Sequence, residues 1–270
     1  MKTIVIGPPG TGKTTTLLNL VDKYLNKTDP NKIGYFAFTQ KAAHEARDRA
    51  MEKFNLTEDD LPYFRTLHSL AFRRLGIQKD NVMQRRHYED LGKKLGFPVD
   101  YEDNMVDMNG IFSTKSDYLR IIQLSKLRKI PLEKQYDLKE HTQDVEFNKL
   151  KIIANELERY KKEYNLVDFN DMIIDFTKSD TCPKFDVVFI DEAQDLSSMQ
   201  WDMAKIIWDK SADNYIAGDD DQAIFKWAGA DVNSFITLGG KFIKLTQSYR
   251  IPTKVHEFAM KIINKVGNRI

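Results

Sequence analysis

The sequence predicts an α/β fold, with a parallel sheet flanked by helices. Three observations carry this prediction. Short apolar runs typical of strands alternate with helical segments over the first 53 residues, and the same alternation returns from residue 186 onward. A glycine-rich phosphate-binding motif also follows the first run directly. Alternation of strands with helices indicates parallel strands, because each crossover helix carries the chain back to the edge where the next strand starts.

The first four elements follow from local patterns. Residues 2–6 form an apolar run that predicts a buried strand, and apolar side chains at helical spacing predict a helix over residues 13–25. Residues 33–38 predict a second strand and residues 41–53 a second helix. Together they form a strand-helix-strand-helix unit, with the phosphate-binding motif in the turn between the first strand and the first helix.

That motif is Gly7–Thr14 (GPPGTGKT), a complete GxxxxGK[ST] phosphate-binding loop. Its glycines let the backbone curl so that successive N–H groups point at phosphate oxygens. Lys13 is expected to reach the β- and γ-phosphates, and the Thr14 hydroxyl to ligate Mg²⁺. The helix that begins near Lys13 adds its positive dipole end.

The later elements predict the second half of such a site. Residues 186–190 predict a buried strand, and Asp191 and Glu192 follow it directly. In this position Asp191 would hold Mg²⁺, and Glu192 would orient and deprotonate an attacking water. The remaining predicted elements are a helix over 198–209, strands over 214–217 and 242–245, and a helix over 253–265.

The middle of the chain differs in character. Residues 79–163 are mostly charged and helical in period, with loops expected at 96–98 and 100–110. We therefore expect residues 1–78 and 164–270 to form the sheet domain and 79–163 to form a helical insertion.

Bulk composition leaves several functions open. The net charge of +1 argues neither for nor against nucleic acid, and one cysteine, Cys182, excludes an internal disulfide. No apolar run reaches the length of a membrane span, so we expect no membrane partner and a cytoplasmic protein. Cations outnumber acids over residues 65–94 and 115–134. These stretches fit solvated helix faces and a nucleic-acid track equally well.

Six segments beyond the loop resemble, in order, the motifs of superfamily 1 DNA helicases of the UvrD/Rep/PcrA type. They are Ala37–Ala43 (AFTQKAA), Thr66–Ala71 (TLHSLA), Val167–Asp171 (VDFND), Asp191–Asp195 (DEAQD), Gly218–Asp231 (GDDDQAIFKWAGAD) and Leu245–Arg250 (LTQSYR). The resemblance implies a RecA-like P-loop NTPase domain that hydrolyses ATP with Mg²⁺. It also implies movement along single-stranded DNA, of 3′–5′ polarity.

The resemblance also implies roles for single residues. Gln222 and Arg250 would contact the γ-phosphate and Tyr249 would stack on the adenine, which makes Glu192, Lys13, Gln222 and Arg250 the catalytic set. The nucleotide-binding residues would be Gly7, Pro8, Pro9, Gly10, Thr11, Gly12, Lys13, Thr14, Thr15, Asp191 and Tyr249, with Thr14 and Asp191 on the metal.

For DNA binding, the resemblance places Phe38, Phe225 and Trp227 at the family's positions for stacking on bases. Thr39 and His68 could hydrogen-bond phosphates of the DNA. For Phe38 packing in the core is an equal alternative, and a lone histidine such as His68 is more often structural. Trp227 is expected to be exposed.

The chain also departs from the family pattern. Ala228 and Ser248 stand where the family usually has arginine and asparagine, and the glutamine motif that precedes the loop and reads adenine finds no room before Met1. The family's second RecA-like domain is expected from a longer chain or a partner. Two other hypotheses remain. One is a P-loop kinase, although a kinase does not need the DEAQD and Gln222 segments; the other is a nucleic-acid-binding module without ATP turnover.

Overall fold

The computed structural model of the chain describes residues 1–96, 101–106, 112–114, 116–141, 144–250 and 252–263. Its centre is a six-stranded sheet in the order β3-β2-β6-β7-β1-β8, and every neighbouring pair is parallel. The strands are β1 (Lys2–Ile6), β2 (Ile33–Ala37), β3 (Phe64–Thr66), β6 (Phe185–Asp191), β7 (Ser211–Gly218) and β8 (Lys241–Lys244). The predicted α/β class with a parallel sheet is confirmed.

Helices cover both faces of this sheet. They are α1 (Lys13–Leu25), α2 (Gln40–Phe54), α3 (Leu67–Arg74), α8 (Phe169–Lys178), α9 (Ser198–Asp209) and α10 (Val232–Ile236). A further helix, α11 (Thr253–Ile263), follows β8. The strands β1 and β6 alternate between two cores: Ile4 and Ile190 lie in one apolar cluster, and Val5 and Phe189 in the other. Burial on both faces explains why these strands are continuous apolar runs.

The sequence between α3 and α8 adds a further group of elements beside the sheet. It contains α4 (Arg85–Leu95), β4 (Tyr101–Val106), β5 (Phe112–Thr114), α5 (Asp117–Leu127), α6 (Leu132–Asp137) and α7 (Phe147–Glu163). These helices share a third apolar cluster, which includes Tyr88, Leu150 and Leu157. Within the described residues, the segment 79–163 contributes no strand to the six-stranded sheet.

The expected loop at 100–110 is wrong over β4, which pairs antiparallel with β5. Its sequence, YEDNMV, is rich in residues that are rare in strands, so it carries no local strand signal. Ladder hydrogen bonds come from the backbone, however, and a partner strand can supply them to almost any sequence. The expected loops at 97–98, 100 and 107–110 lie outside the described residues.

Most predicted boundaries agree with the structure within three residues, and β3, α3 and α8 lie where no element was expected. None of the helices in the described ranges combines the length and the apolar character needed to cross a membrane. The lone thiol, Cys182, is buried, and burial raises its pKa to about 11, as is typical of an unreactive structural cysteine.

Candidate active site

The candidate site lies where the carboxyl ends of parallel strands meet. The loop Gly7–Thr14 leaves β1, Asp191 ends β6, and Asp219 directly follows β7. Next to β1, the chain beyond β8 continues with Leu245, whose N–H donates to the Ile6 carbonyl. Ligands of open α/β sheets bind at this edge, so distant sequence motifs converge on one surface.

The phosphate-binding loop needs its glycines for two separate reasons. Gly10 and Gly12 have φ of +75° and +85°, a region that side chains other than glycine rarely adopt. A Cβ on Gly7 would lie 2.5 Å from the Leu245 carbonyl oxygen, and one on Gly10 would lie 2.4 Å from Arg250 Cβ. The loop is therefore packed tightly against Leu245–Arg250.

That segment is also hydrogen-bonded to the loop. Ser248 Oγ donates to the Pro9 carbonyl at 2.8 Å, and the Tyr249 N–H donates to the Gly10 carbonyl at 2.8 Å. Ser248, where the family usually has asparagine, thus fixes the segment with its hydroxyl. The side chains of Tyr249, 78 % exposed, and Arg250 face solvent beside the loop.

Lys13 is held inside the loop. Its ammonium donates to the Gly7 carbonyl at 2.8 Å and to the Pro8 carbonyl at 3.3 Å. It also lies 3.9 Å from Asp219 Oδ2, and the side chain is 8 % exposed. Thr11 closes the turn by donating to the same Pro8 carbonyl at 2.8 Å. Thr15, in the first turn of α1, is exposed.

Thr14 and Asp191 meet across the sheet edge. Thr14 Oγ1 donates to Asp191 Oδ2 at 2.8 Å, and the buried Tyr35 hydroxyl donates to the same oxygen at 2.8 Å. Burial, and then the negative charge of Glu192, raise the pKa of Asp191. A hydroxyl and a buried carboxylate without a cationic side chain paired to it among the described residues are hard oxygen donors, so these residues fit Mg²⁺.

Glu192 sits in a strained conformation beside this pair. Its φ of 52° and ψ of 43° place a non-glycine residue in the left-handed region, and its N–H donates to Asp191 Oδ1 at 3.0 Å. Its carboxylate accepts a hydrogen bond from Gln194 Nε2 at 2.9 Å. Such backbone strain clusters at active sites, where the surroundings hold a side chain in a required direction.

Gln222 reaches the site through Asp219. Its Nε2 donates to Asp219 Oδ2, the oxygen that faces Lys13. Burial raises the pKa of Asp219, while Gln222 and Lys13 oppose that effect. The predicted γ-phosphate residue is therefore one contact away from the loop lysine.

The three aromatic residues expected to stack on bases lie in a row, and their exposure to solvent increases along it. Phe38 is 6 % exposed and packs in the core, with its ring centroid 5.7 Å from that of Phe225. Phe225 lies 6.3 Å from Trp227, which is 57 % exposed as expected. Trp227, and in part Phe225, provide the accessible aromatic surface. Thr39 uses its hydroxyl to cap α2, accepting from the Ala42 N–H at 3.0 Å.

His68 is 3 % exposed and packs edge-to-face on Phe169, with centroids 5.7 Å apart. Burial lowers its pKa to about 4, so the ring is neutral near pH 7. It lines a largely apolar cavity of about 410 Å³ with Phe72, Met83 and Phe169. This position is typical of a structural histidine.

The basic stretch 115–134 is largely paired within the protein. Arg120 lies 2.7 Å from Asp117, Arg128 lies 2.5 Å from Glu140, and Lys129 pairs with Asp202. In the other stretch Arg65 is buried. These ion pairs favour the structural interpretation of residues 115–134 over a nucleic-acid track, whereas the other cations of residues 65–94 are exposed.

Five charges that were not singled out form a partly buried cluster with Glu158 at its exposed edge, which we call the ionic joint: Lys126 of α5, Glu158 and Lys161 of α7, and Asp168 and Asp171 at the start of α8. The Lys161 ammonium lies 2.9 Å from Asp168 and 2.7 Å from Asp171. The three carboxylates are close enough to hold a metal ion, but the two ammonium groups already compensate them.

Several site residues escaped the sequence reasoning. Tyr35 lies inside a buried strand and Gln194 inside the DEAQD segment, and neither shows locally that it contacts Asp191 or Glu192. Ser248 was noted only as a departure. Asp219, at the start of the GDDDQ segment, carries a signal in its place directly after a strand.

Comparison with known proteins places the chain in context. The model of the UvrD/REP helicase N-terminal domain matches residues 1–243. The chain is 25 % identical over 299 aligned residues to the ATP-dependent DNA helicase Rep of Buchnera aphidicola, covering 96 % of this chain and 42 % of Rep. It is 23 % and 25 % identical to ATP-dependent DNA helicases PcrA of Staphylococcus aureus and Bacillus subtilis, covering 98 % of this chain and 38 % of each relative. The chain thus spans about two fifths of their length.

Proposed function

Because the chain belongs to the UvrD/REP helicase N-terminal domain family, we propose that it is the ATP-hydrolysing motor domain of a DNA helicase. Its relatives Rep and PcrA are named ATP-dependent DNA helicases. The observation that carries the proposal is the 2.8 Å contact between Thr14 Oγ1 and Asp191 Oδ2, which brings the two halves of an ATPase site together from 177 residues apart.

The loop binds the triphosphate. Its backbone N–H groups and the N-terminus of α1 attract the phosphate oxygens, and Lys13 exchanges its bonds to the Gly7 and Pro8 carbonyls for the β- and γ-phosphates. Thr14 and Asp191 would hold Mg²⁺, which when bound would neutralise charge that develops on the phosphates. Pro8, Pro9 and Thr11 shape the loop, Thr15 contacts the nucleotide from the first turn of α1, and Tyr249 lies on the adenine.

Glu192 accepts the proton of the attacking water. Its fixed backbone and its hydrogen bond from Gln194 keep the carboxylate directed into the site. Gln222 and Arg250 stabilise the γ-phosphate from the other side, and the planar fork of Arg250 suits a spread negative charge. The exposure of Arg250 leaves it room to turn toward the nucleotide.

Single-stranded DNA crosses the same sheet edge next to Trp227 and Phe225. Aromatic faces stack on any base, which suits movement without sequence preference. We propose 3′–5′ movement and closure against a second RecA-like domain, with residues 1–78 and 164–270 as the first such domain and 79–163 as an inserted helical subdomain. Placement of all six sheet strands outside 79–163 supports that division.

Two substitutions test this function. Lys13→Ala removes a contact made to the bound nucleotide, so affinity for Mg-ATP should fall at least ~10-fold. Glu192→Gln removes only the proton acceptor, so affinity should stay within ~3-fold of wild type while single-turnover hydrolysis falls ~100-fold or more. Equal loss of affinity in both variants would show that Glu192 is not the base.

A further inference from the structure

We propose that Gln194 is a positioning residue for Glu192, and that it links the orientation of this carboxylate to the segment that follows β7. The proposal rests on the proposed function, because it takes Glu192 as the group that accepts the proton. Its basis is the set of contacts made by one buried amide.

Gln194 uses both ends of its side chain. Nε2 donates to Glu192 Oε2 at 2.9 Å and to Asp195 Oδ2 at 3.1 Å, while Oε1 accepts from the Asp219 N–H at 3.0 Å. The residue is 2 % exposed, so water cannot replace these bonds without rearrangement. An amide carries two N–H donors and an acceptor, and here each is used.

This arrangement limits where the Glu192 carboxylate can point. Its neighbour Asp191 repels it, and the left-handed backbone at Glu192 gives the side chain an unusual exit direction. A donated hydrogen bond from a buried, fixed amide offsets that repulsion and selects one orientation. Gln194 therefore acts on the reaction through Glu192 and does not touch the reacting atoms.

The other end of the amide reaches the next motif. The Asp219 N–H donates to Gln194 Oε1, and the Asp219 carboxylate accepts from Gln222 and lies 3.9 Å from Lys13. Gly218 has no Cβ, and one built there would lie 2.8 Å from Gln194 Oε1, so this glycine makes room for the contact. A shift of the Gln222–Trp227 segment is thus transmitted to Glu192 through two hydrogen-bonded residues.

Two variants separate the functions of the amide. Gln194→Met keeps the length of the side chain but removes all three hydrogen bonds. Gln194→Glu keeps an acceptor for the Asp219 N–H but removes the donors to Glu192. The matched control is Gln200→Met, because Gln200 is also a buried glutamine, and its Oε1 accepts from the Ser197 N–H at 2.9 Å in the cap of α9.

The measurement is single-turnover hydrolysis with protein in excess over radiolabelled Mg-ATP, together with nucleotide affinity and thermal unfolding. Both Gln194 variants should hydrolyse ~10–100-fold more slowly than wild type, part of the 10²–10⁴-fold that a general base supplies. Their affinity for Mg-ATP should stay within ~3-fold of wild type. Gln200→Met should lower the melting temperature without lowering the rate.

Distinct results overturn distinct claims. A wild-type rate in Gln194→Glu would show that donation to Glu192 does not matter, and equal slowing in Gln200→Met would reduce Gln194 to a fold-stabilising residue. Either result contradicts the positioning role and leaves the ATPase assignment intact. A wild-type chain that hydrolyses Mg-ATP measurably, but no faster than Glu192→Gln, would instead contradict the proposed base, and the role of Gln194 with it.

Discussion

Two largely buried clusters of charge in this molecule differ in how fully their carboxylates are compensated by cations. In the candidate active site, the four carboxylates of Asp191, Glu192, Asp195 and Asp219 have one ion pair within the described residues, between Asp219 and Lys13 at 3.9 Å. In the ionic joint, by contrast, two lysines serve three carboxylates. The first cluster is deficient in positive charge, whereas the second is nearly balanced.

The pKa values of the carboxyl groups reflect this difference in charge compensation. Burial raises the pKa of Asp191, Asp219 and Asp195, the last to about 7. In the joint, Lys126 and Lys161 overcome burial and lower the pKa of Asp168 to about 2. Asp171 remains raised by burial and by the charge of Asp168. The charges of the joint are thus compensated within the fold, whereas the active site leaves a deficit of positive charge that a bound cation would offset.

The largest effect is expected from breaking the joint. Lys161→Met leaves Asp168 and Asp171 buried with a single remaining ammonium, which should cost ~3–5 kcal/mol of stability. For a chain of this size that lowers the melting temperature by ~10 °C. The control is Lys162→Met, since Lys162 is exposed on the same helix. A shift equal to that of the control would mean that the joint does not hold the fold.

A smaller, pH-dependent effect is expected at Asp195. Its pKa is raised to about 7 from 3.8, so the folded state binds the proton more tightly than the unfolded chain does. Its contribution to stability is therefore complete below about pH 4 and is lost as pH rises through 7. Asp195→Asn removes this loss, and its stability relative to wild type should increase by ~1–2 kcal/mol between pH 5 and pH 8. Denaturant unfolding of both proteins at each pH measures it, and a constant difference would contradict the raised pKa.

The smallest effect on stability is expected at Asp191, and its sign is opposite to that of substitutions in the ionic joint. Asp191→Asn removes a buried carboxylate that repels Glu192, so the protein without ligand should gain ~1 kcal/mol of stability or stay unchanged. Asp168→Asn, in the joint, should destabilise. Parallel urea titrations of the two variants compare them directly. A large loss of stability in Asp191→Asn would show that its charge is already compensated by the protein.

The two clusters also differ in how far the sequence predicts them. The sequence predicts the active-site segments Gly7–Thr14 and Asp191–Glu192, because each follows a strand-like run directly. Such a local pattern is enough to fix the local geometry. The contact of Lys161 with Asp168 depends on how α7, α8 and α5 pack, and charged helical residues look the same in solvent and in a buried cluster. For the same reason β3, α3 and α8, whose burial is set by tertiary packing, were not predicted, while β1 and α1 were.

Thermal unfolding with a non-hydrolysable ATP analogue tests the charge deficit of the active site most directly. At 100 times the dissociation constant, analogue with Mg²⁺ should stabilise the wild type by about 2.7 kcal/mol, which raises the melting temperature by several degrees. This rise should vanish in EDTA and in Asp191→Asn, and persist in Lys162→Met. An equal rise in EDTA or in Asp191→Asn would contradict the account, because the site would then bind nucleotide without the cation its carboxylates are arranged to hold.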